Sequence, residues 1–371
     1  MPKSKKYNWR EDPYFSAVPP IYLGVAHGFP SADDAAAIFA GKKDGYAYAR
    51  MGNPTVAQFE AWLEELDGGE KALATCSGLA AELLLVHALT EPGKKKIVSS
   101  PFIYGGSFHM FDLLKTRGYK IKFVEDAFNP KSWEEAITPD TAFAFLESPS
   151  NPRSDVFDIK KIAAAVHKNK TLLVVDNTIA PAIQKPLKLG ADIVVYSVTK
   201  YLNRQSSGLG GAAVFSEKIW KKHGKNIFDW YAHLGLMMHP LTAWFSLQNS
   251  YTLERDMKTF TENAREVAAF LSKHPKVKKV YYSGRSGLMS FEMQSFEAAK
   301  KFVGLLKKII LAPHLGDVRD LIIHPASTTH SRLSEKDLAK VHITKNLVRF
   351  SVGLGDTRST IADLSQALKQ V

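Results

Sequence analysis

A large α/β domain on a mainly parallel, seven-stranded sheet, followed by a smaller α+β domain, is the architecture this 371-residue sequence predicts. Three observations carry the prediction. Apolar, β-branched runs recur with helical patterns between them, the alternation of a parallel α/β sheet. Two of the runs, LLVVDNT ending at Thr178 and DIVVYSVTK ending at Lys200, finish in polar, reactive side chains. Buried parallel strands look like this when their carboxyl ends face a site. The alternation then breaks near residue 240, beyond which helical stretches surround shorter apolar runs.

In chain order, residues 1–60 are loop-rich and read as an arm. A helix is expected over 54–66, with Asn53 as N-cap, Pro54 at the first helical position and Gly68–Gly69 as the stop. Val56, Phe59, Leu63 and Leu66 fall on one face of it. Strand runs follow at 71–75, 96–100, 120–124, 142–147, 171–175, 193–196 and 212–215, within a large domain of residues 61–240. Residues 241–371 form the small domain, with helices expected over 251–271, 295–308 and 359–370 and strands including 321–323 and 347–352.

Composition narrows the function classes. Hydrophobic content of 45% and charge of 23% are ordinary for a globular chain. No apolar run reaches membrane-span length, and the basic start MPKSKKYNWREDPYF lacks the apolar stretch of a secretory signal. The single cysteine, Cys76, excludes an intrachain disulfide and fits a reducing compartment, so a cytoplasmic location is expected. The net charge of +12 raises nucleic acid as a partner. The lysine pairs are scattered, however, with no aromatic-interleaved basic stripe. A solvated surface that attracts anionic substrates is the better reading.

The chemistry sits at the two strand ends. Lys200 follows a buried strand, where a charged amine is costly unless it is neutral or covalently linked. Asp176 ends the other strand. An amine able to form a Schiff base, opposite an acid able to keep a pyridine nitrogen protonated, is the pair that pyridoxal 5'-phosphate (PLP) requires. The turn Thr75-Cys76-Ser77-Gly78-Leu79 ends a strand and opens a helix, so its amides and the Ser77 hydroxyl could hold a phosphate. Ser197 and Thr199 add hydroxyls beside it.

Other motifs fail inspection. Gly208-Leu209-Gly210-Gly211 approaches a dinucleotide fingerprint but precedes a strand. His324 and His330 lack a carboxylate or cysteine partner at ligand spacing, so no metal is expected. Cys76 reads as a small core residue.

Taken together, the strings PPIY, GYAYARMGNPT, CSGLAAE, YGGSFHMF, ESPSNP, VVDNT, SVTKYLN, IIHPASTTH and LVRFSVG resemble the Cys/Met-metabolism PLP enzymes over nearly the whole length. That family includes cystathionine γ-synthase and its lyase relatives, methionine γ-lyase and O-acetylhomoserine sulfhydrylase. The resemblance implies a type I PLP-dependent aminotransferase-like fold and an amino-acid substrate. It implies that Lys200 carries the cofactor and shuttles protons and that Asp176 pairs with the pyridine nitrogen. Ser77, Gly78, Leu79, Ser197 and Thr199 would hold the phosphate. Tyr104 would stack on the ring and, as a catalytic residue, assist proton transfer or leaving-group departure, and Asn151 would touch the ring's phenolic oxygen. Arg349 would clamp the substrate carboxylate. Tyr48 and Arg50 would reach a neighbouring subunit's phosphate, which implies a homodimer or homotetramer with shared sites.

Several positions depart from the family pattern. Gly106 stands where methionine γ-lyases carry a cysteine. Where cystathionine lyases place a serine and a glutamate, this chain has His314 and Arg319, and Arg319 would repel cystathionine's distal ammonium unless Asp317 or Asp320 compensates. Arg204 and Gln205 replace a glycine–histidine pair, and Asp256 replaces an arginine. YGGSFHMF and IIHPASTTHSRL look closest to the O-acetylhomoserine sulfhydrylases, although an extra segment those enzymes carry is missing. The expected reaction is γ-replacement on an activated homoserine, giving homocysteine from O-acetylhomoserine and sulfide. The alternatives are γ-elimination by a methionine or cystathionine γ-lyase-like route, a cystathionine γ-synthase reaction and, remotely, a non-catalytic PLP-fold binding protein.

Overall fold

The computed structural model describes residues 6–328 and 343–371. Its large sheet has seven strands: β1 (Lys71–Thr75), β2 (Lys96–Ser99), β3 (Lys120–Phe123), β4 (Thr141–Glu147), β5 (Leu172–Asp176), β6 (Ile193–Tyr196) and β7 (Gly211–Phe215). They lie in the order β1-β7-β6-β5-β4-β2-β3, and only β7 runs antiparallel to its neighbours. The mainly parallel seven-stranded sheet expected from the sequence is therefore present, with each strand within a residue or so of its expected place.

Helices cover both faces. Alternate residues of β6 point to opposite layers: Val194 and Tyr196 join a core with Phe59 and Leu63, while Ile193 and Val195 join one with Leu84 and Phe111. Each fully buried side chain of this size contributes ~1.5–3 kcal/mol. The first face takes α2 (Pro54–Asp67), which begins where Asn53 accepts from the Thr55 and Val56 amides and ends at Gly68 in the left-handed region (φ 70°). The second takes α3 (Gly78–Leu89), α4 (Gly105–Lys115) and α7 (Glu217–Leu234). Ahead of these, α1 (Ala32–Phe39) is the one α-helix described before residue 54. Helices α5 (Pro130–Ala136) and α6 (Ile159–Lys168) cover the other end of the sheet.

A second sheet has five strands in the order β10-β11-β12-β9-β8. These are β8 (Val277–Tyr282), β9 (Leu288–Met293), β10 (Ile310–Leu311), β11 (Leu321–Ile323) and β12 (Leu347–Ser351). Helices α9 (Leu253–Lys273), α10 (Phe296–Gly304) and α11 (Thr357–Leu368) pack on it around Phe291, Phe302 and Phe350. Helix α8 (Pro240–Ser250) instead contributes Ala243 and Leu247 to the core beneath α2. Among the described residues no helix is long and apolar enough to cross a membrane.

Candidate active site

The carboxyl ends of β4, β5 and β6 and the amino end of α3 open into one cavity of about 580 Å³. It is lined by Ser77, Gly78, Leu79, Tyr104, Asn151, Asp176, Ser197, Thr199, Lys200 and Arg349, ten of the residues singled out in the sequence. Ligands gather at this edge of parallel sheets because the connecting loops and helix N-termini converge there.

Lys200 lies just past β6. Its Nζ stands 3.0 Å from Nδ1 of His314. Burial and the nearby Arg349 charge pull the amine down to about 8, so it is neutral far more often near neutral pH than an exposed lysine. Asp176 ends β5, buried, and accepts from the Thr178 amide at 2.8 Å. It is accompanied by two acids that the sequence reading gave no role. Glu147, at the end of β4, accepts from the Tyr104 amide at 2.6 Å and the Asn151 amide at 2.7 Å. Glu82, on α3, accepts from the Ser107 hydroxyl at 2.8 Å, while its second oxygen is buried without a partner. Burial raises all three carboxyls, Glu82 to about 8, and none has an ion-pair partner among the described residues.

At the head of α3 the Ser77 hydroxyl accepts from the Ala80 amide at 3.1 Å, which leaves the first turn's other amides facing outward. Gly78 lies against Ser197, whose amide donates to the Thr178 hydroxyl at 2.7 Å. The Thr199 hydroxyl both donates to and accepts from the Gly210 backbone at 3.0 Å. Tyr104 caps α4, half-exposed, and its ring occupies the space over Gly106: a Cβ there would sit 2.3 Å from the ring.

Arg349, in the middle of β12, is a buried guanidinium without a carboxylate partner among the described residues. It donates to Asn151 Oδ1 at 3.3 Å and to the His314 carbonyl at 2.9 Å, and its Nε has no partner. Burial draws it down to about 10. A cation held this way awaits an anion.

The departures resolve into local pairs. Arg204 and Asp256 meet each other, Nε to Oδ2 at 3.3 Å, so the two unusual residues compensate. Gln205 bonds Asn249 at 3.1 Å on the surface. Arg319 points away from the cavity and is clasped by Asp317, Nε to Oδ1 at 2.6 Å and Nη2 to Oδ2 at 2.8 Å. The compensation by Asp317 is thus realised, and the expected repulsion of a distal ammonium does not stand. Asp320 is engaged elsewhere, by the Gly353 amide at 2.7 Å. Cys76, expected in the core, is exposed because β1 has already ended at Thr75. His324 is occupied by Ser327 at 2.8 Å and the Lys345 carbonyl at 2.6 Å, while His330 lies outside the described residues. Tyr48 and Arg50 do not line their own chain's cavity; Arg50 donates to the Ala232 carbonyl at 2.6 Å and lies over the Tyr48 ring.

The donor set fits PLP. An amine, a desolvated acid cluster lacking a cation and a helix N-terminus share one cavity, matching the cofactor's aldehyde, ring nitrogen and phosphate. Comparison with known proteins agrees. The chain is 35% identical to an O-succinylhomoserine sulfhydrylase of Pseudomonas aeruginosa, over 94% of this chain and 90% of that one. It is equally 35% identical to an L-methionine gamma-lyase of Fusobacterium nucleatum subsp. polymorphum, over 96% and 95%. The crystal structure of a putative O-acetylhomoserine (thiol)-lyase from Campylobacter jejuni, which carries a pyridoxyl-lysine phosphate, superposes with a TM-score of 0.93. That pair is 33% identical over 98% of this chain and 97% of the other. The family model for Cys/Met metabolism PLP-dependent enzymes matches residues 5–369, and it is to this family of PLP-dependent enzymes that the chain belongs.

Proposed function

We propose that the protein catalyses γ-replacement on an activated homoserine, converting O-acetylhomoserine and sulfide to homocysteine. The observation that carries this reading over cystathionine chemistry is the charge of the cavity wall. Its described acids are Glu82, Glu147 and Asp176, and the remaining wall includes Ile179, Leu209, Pro313, Leu315 and Thr328. Those three acids sit at the ends of β4 and β5 and on α3, where they would face the ring nitrogen. With Asp317 spent on Arg319, no other described wall residue offers a carboxylate to a second ammonium. A neutral acyl ester suits such a wall better than cystathionine's charged end.

Bound PLP supplies an electron sink for negative charge at the substrate Cα. Asp176, backed by Glu147, would face its ring nitrogen, and Asn151 its phenolic oxygen. The α3 N-terminus with Ser77, Gly78 and Leu79, together with Ser197 and Thr199, would hold its phosphate, and Tyr104 would cover the ring. Arg349 binds the substrate α-carboxylate through its free N–H groups. Lys200 would anchor the cofactor covalently; displaced by the substrate amine, the freed amine would accept the Cα proton and, after releasing it, a Cβ proton. Its lowered basicity suits both transfers. Residues 1–60 would reach a second subunit, with Tyr48 and Arg50 completing that subunit's phosphate site. Exposed Tyr14, Phe15 and Leu23 in this segment support such a contact.

The test is to incubate the PLP-loaded protein with O-acetylhomoserine and sulfide and quantify homocysteine and 2-oxobutyrate together. Homocysteine should dominate. A predominance of 2-oxobutyrate would favour γ-elimination, the reading to which the equal likeness to an L-methionine gamma-lyase lends support.

A further inference from the structure

We infer that His314 is a positioning residue for Lys200: its imidazole seats the lysine amine whenever that amine is not covalently engaged, and thereby fixes where its lone pair points. The inference rests on the proposed role of Lys200 as the proton-transferring base.

The two side chains meet at 3.0 Å, Nζ to Nδ1. For Nδ1 to accept, the ring must carry its proton on Nε2, and that atom is buried without a partner. The same residue reaches the proposed carboxylate clamp, since its carbonyl accepts from Arg349 Nη2 at 2.9 Å. His314 therefore touches both the amine that would remove a proton and the guanidinium that would hold the substrate.

The segment carrying it is fixed from behind. Leu315 is buried, and the Gly316 amide donates to the Ser351 hydroxyl at 2.9 Å. Gly316 adopts φ +71°, and a Cβ there would stand 2.8 Å from the Tyr201 amide nitrogen. Only glycine permits this turn to pack against the residue that follows Lys200.

A neutral primary amine has two N–H bonds and one lone pair. Donating one N–H to Nδ1 removes the free rotation of the amino group and leaves the lone pair directed elsewhere. The charged groups that act on the imidazole are Lys200, which it touches, and Asp317, Arg349 and Arg319 through their electric fields. Burial and the lysine charge hold the ring down to about 4, with Asp317 opposing, so it stays neutral, with one ring nitrogen able to accept, throughout the range in which Lys200 titrates. The imidazole does not take the proton; it holds the group that does.

The test uses PLP-loaded protein and L-norvaline, which has no γ leaving group, in D2O, following loss of the Cα proton by NMR. His314→Phe removes the acceptor but keeps a ring; His314→Gln retains an acceptor oxygen. The Phe variant should slow exchange ~10- to 100-fold and shift its pH profile, with the apparent norvaline affinity changed less than about threefold. The Gln variant should recover most of the rate. Borohydride reduction should still trap the cofactor on Lys200 in both variants, showing an intact site. Exchange by the Phe variant at the wild-type rate and pH profile would overturn the inference, as would a Gln variant as slow as Phe. Exchange does not depend on the γ-substituent, so failure of the homocysteine assay and failure of this inference are separate results.

Discussion

Glu147 and Asp176 stand directly opposite each other at the ends of adjacent parallel strands. The sheet thus delivers two buried carboxyl groups side by side to one cavity, and Glu82 approaches from α3. Each raises the cost of ionising the others. A cationic ring nitrogen would offset that cost, so the cluster both prepares for the cofactor and burdens the protein without it.

Glu82 makes that burden measurable. Its folded value of about 8 lies above its ordinary 4.5, so the folded state retains a proton that the unfolded chain releases. Its contribution is full below about pH 4.5 and declines as pH rises through about 8. In the cofactor-free protein, Glu82→Gln should shrink the fall in Tm between about pH 5 and pH 8, with the remainder due to Glu147 and Asp176. An unchanged fall would show that Glu82 is not held protonated.

Arg349→Ala should raise the apparent KM for the amino-acid substrate ~30-fold or more, reflecting loss of a charge-assisted pair, with a smaller effect on kcat. Arg349→Lys should rescue little, because an ammonium cannot reproduce the bidentate fork. An unchanged KM in the Ala variant would remove the carboxylate role.

Sharing of sites between subunits can be read by complementation. Lys200→Ala and Arg50→Ala should each be severely impaired alone. Refolded together, mixed dimers would contain one site with both residues intact, restoring about a quarter of wild-type activity on random pairing. No recovery in a verified mixed dimer would place Arg50 outside the neighbour's site.

Gly106→Ala should separate stability from activity. The added methyl meets the Tyr104 ring, which is half-exposed and free to turn, so stability should change by less than about 1 kcal/mol while turnover falls several-fold. In a Tyr104→Ala background the same change should add little, as expected for contacting residues. A full effect without the ring would mean that Gly106 acts by another route.

Most of the large sheet was legible because its inner strands β4, β5, β6 and β7 are buried on both faces and read as nearly unbroken apolar runs, whereas β3, the alternating KIKF, is half-exposed at the edge. Strands β8 and β9 were not assigned from sequence. The first is the lysine-bearing VKKVYY, half-exposed at a sheet edge, and its sequence says little about which side is buried. Helix α9 begins at Leu253, two residues later than expected, because Tyr251 and Thr252 form a turn first. Lys200, Asp176 and Arg349 were found from strand ends and motifs, and they share one cavity. Glu82 was passed over within the apolar helix AAELLLVHAL, though a lone acid in a helix buried on nearly every side is itself the signal. The meaning of Arg204 and Asp256 required the fold, since neither shows its partner along the chain.

The antiparallel placement of β7 has a mechanical consequence. Tyr196, where the chain leaves the sheet toward Lys200, lies across from Ala212, where it has just returned. The lysine therefore rides on a closed loop moored at both ends to interior strands, not on a connection leading away to a distant helix. Loosening its mooring would require parting β6 from β7. Amide protons there should exchange with solvent only through events approaching global unfolding, which makes the covalent anchor of the cofactor one of the last parts of the molecule to let go.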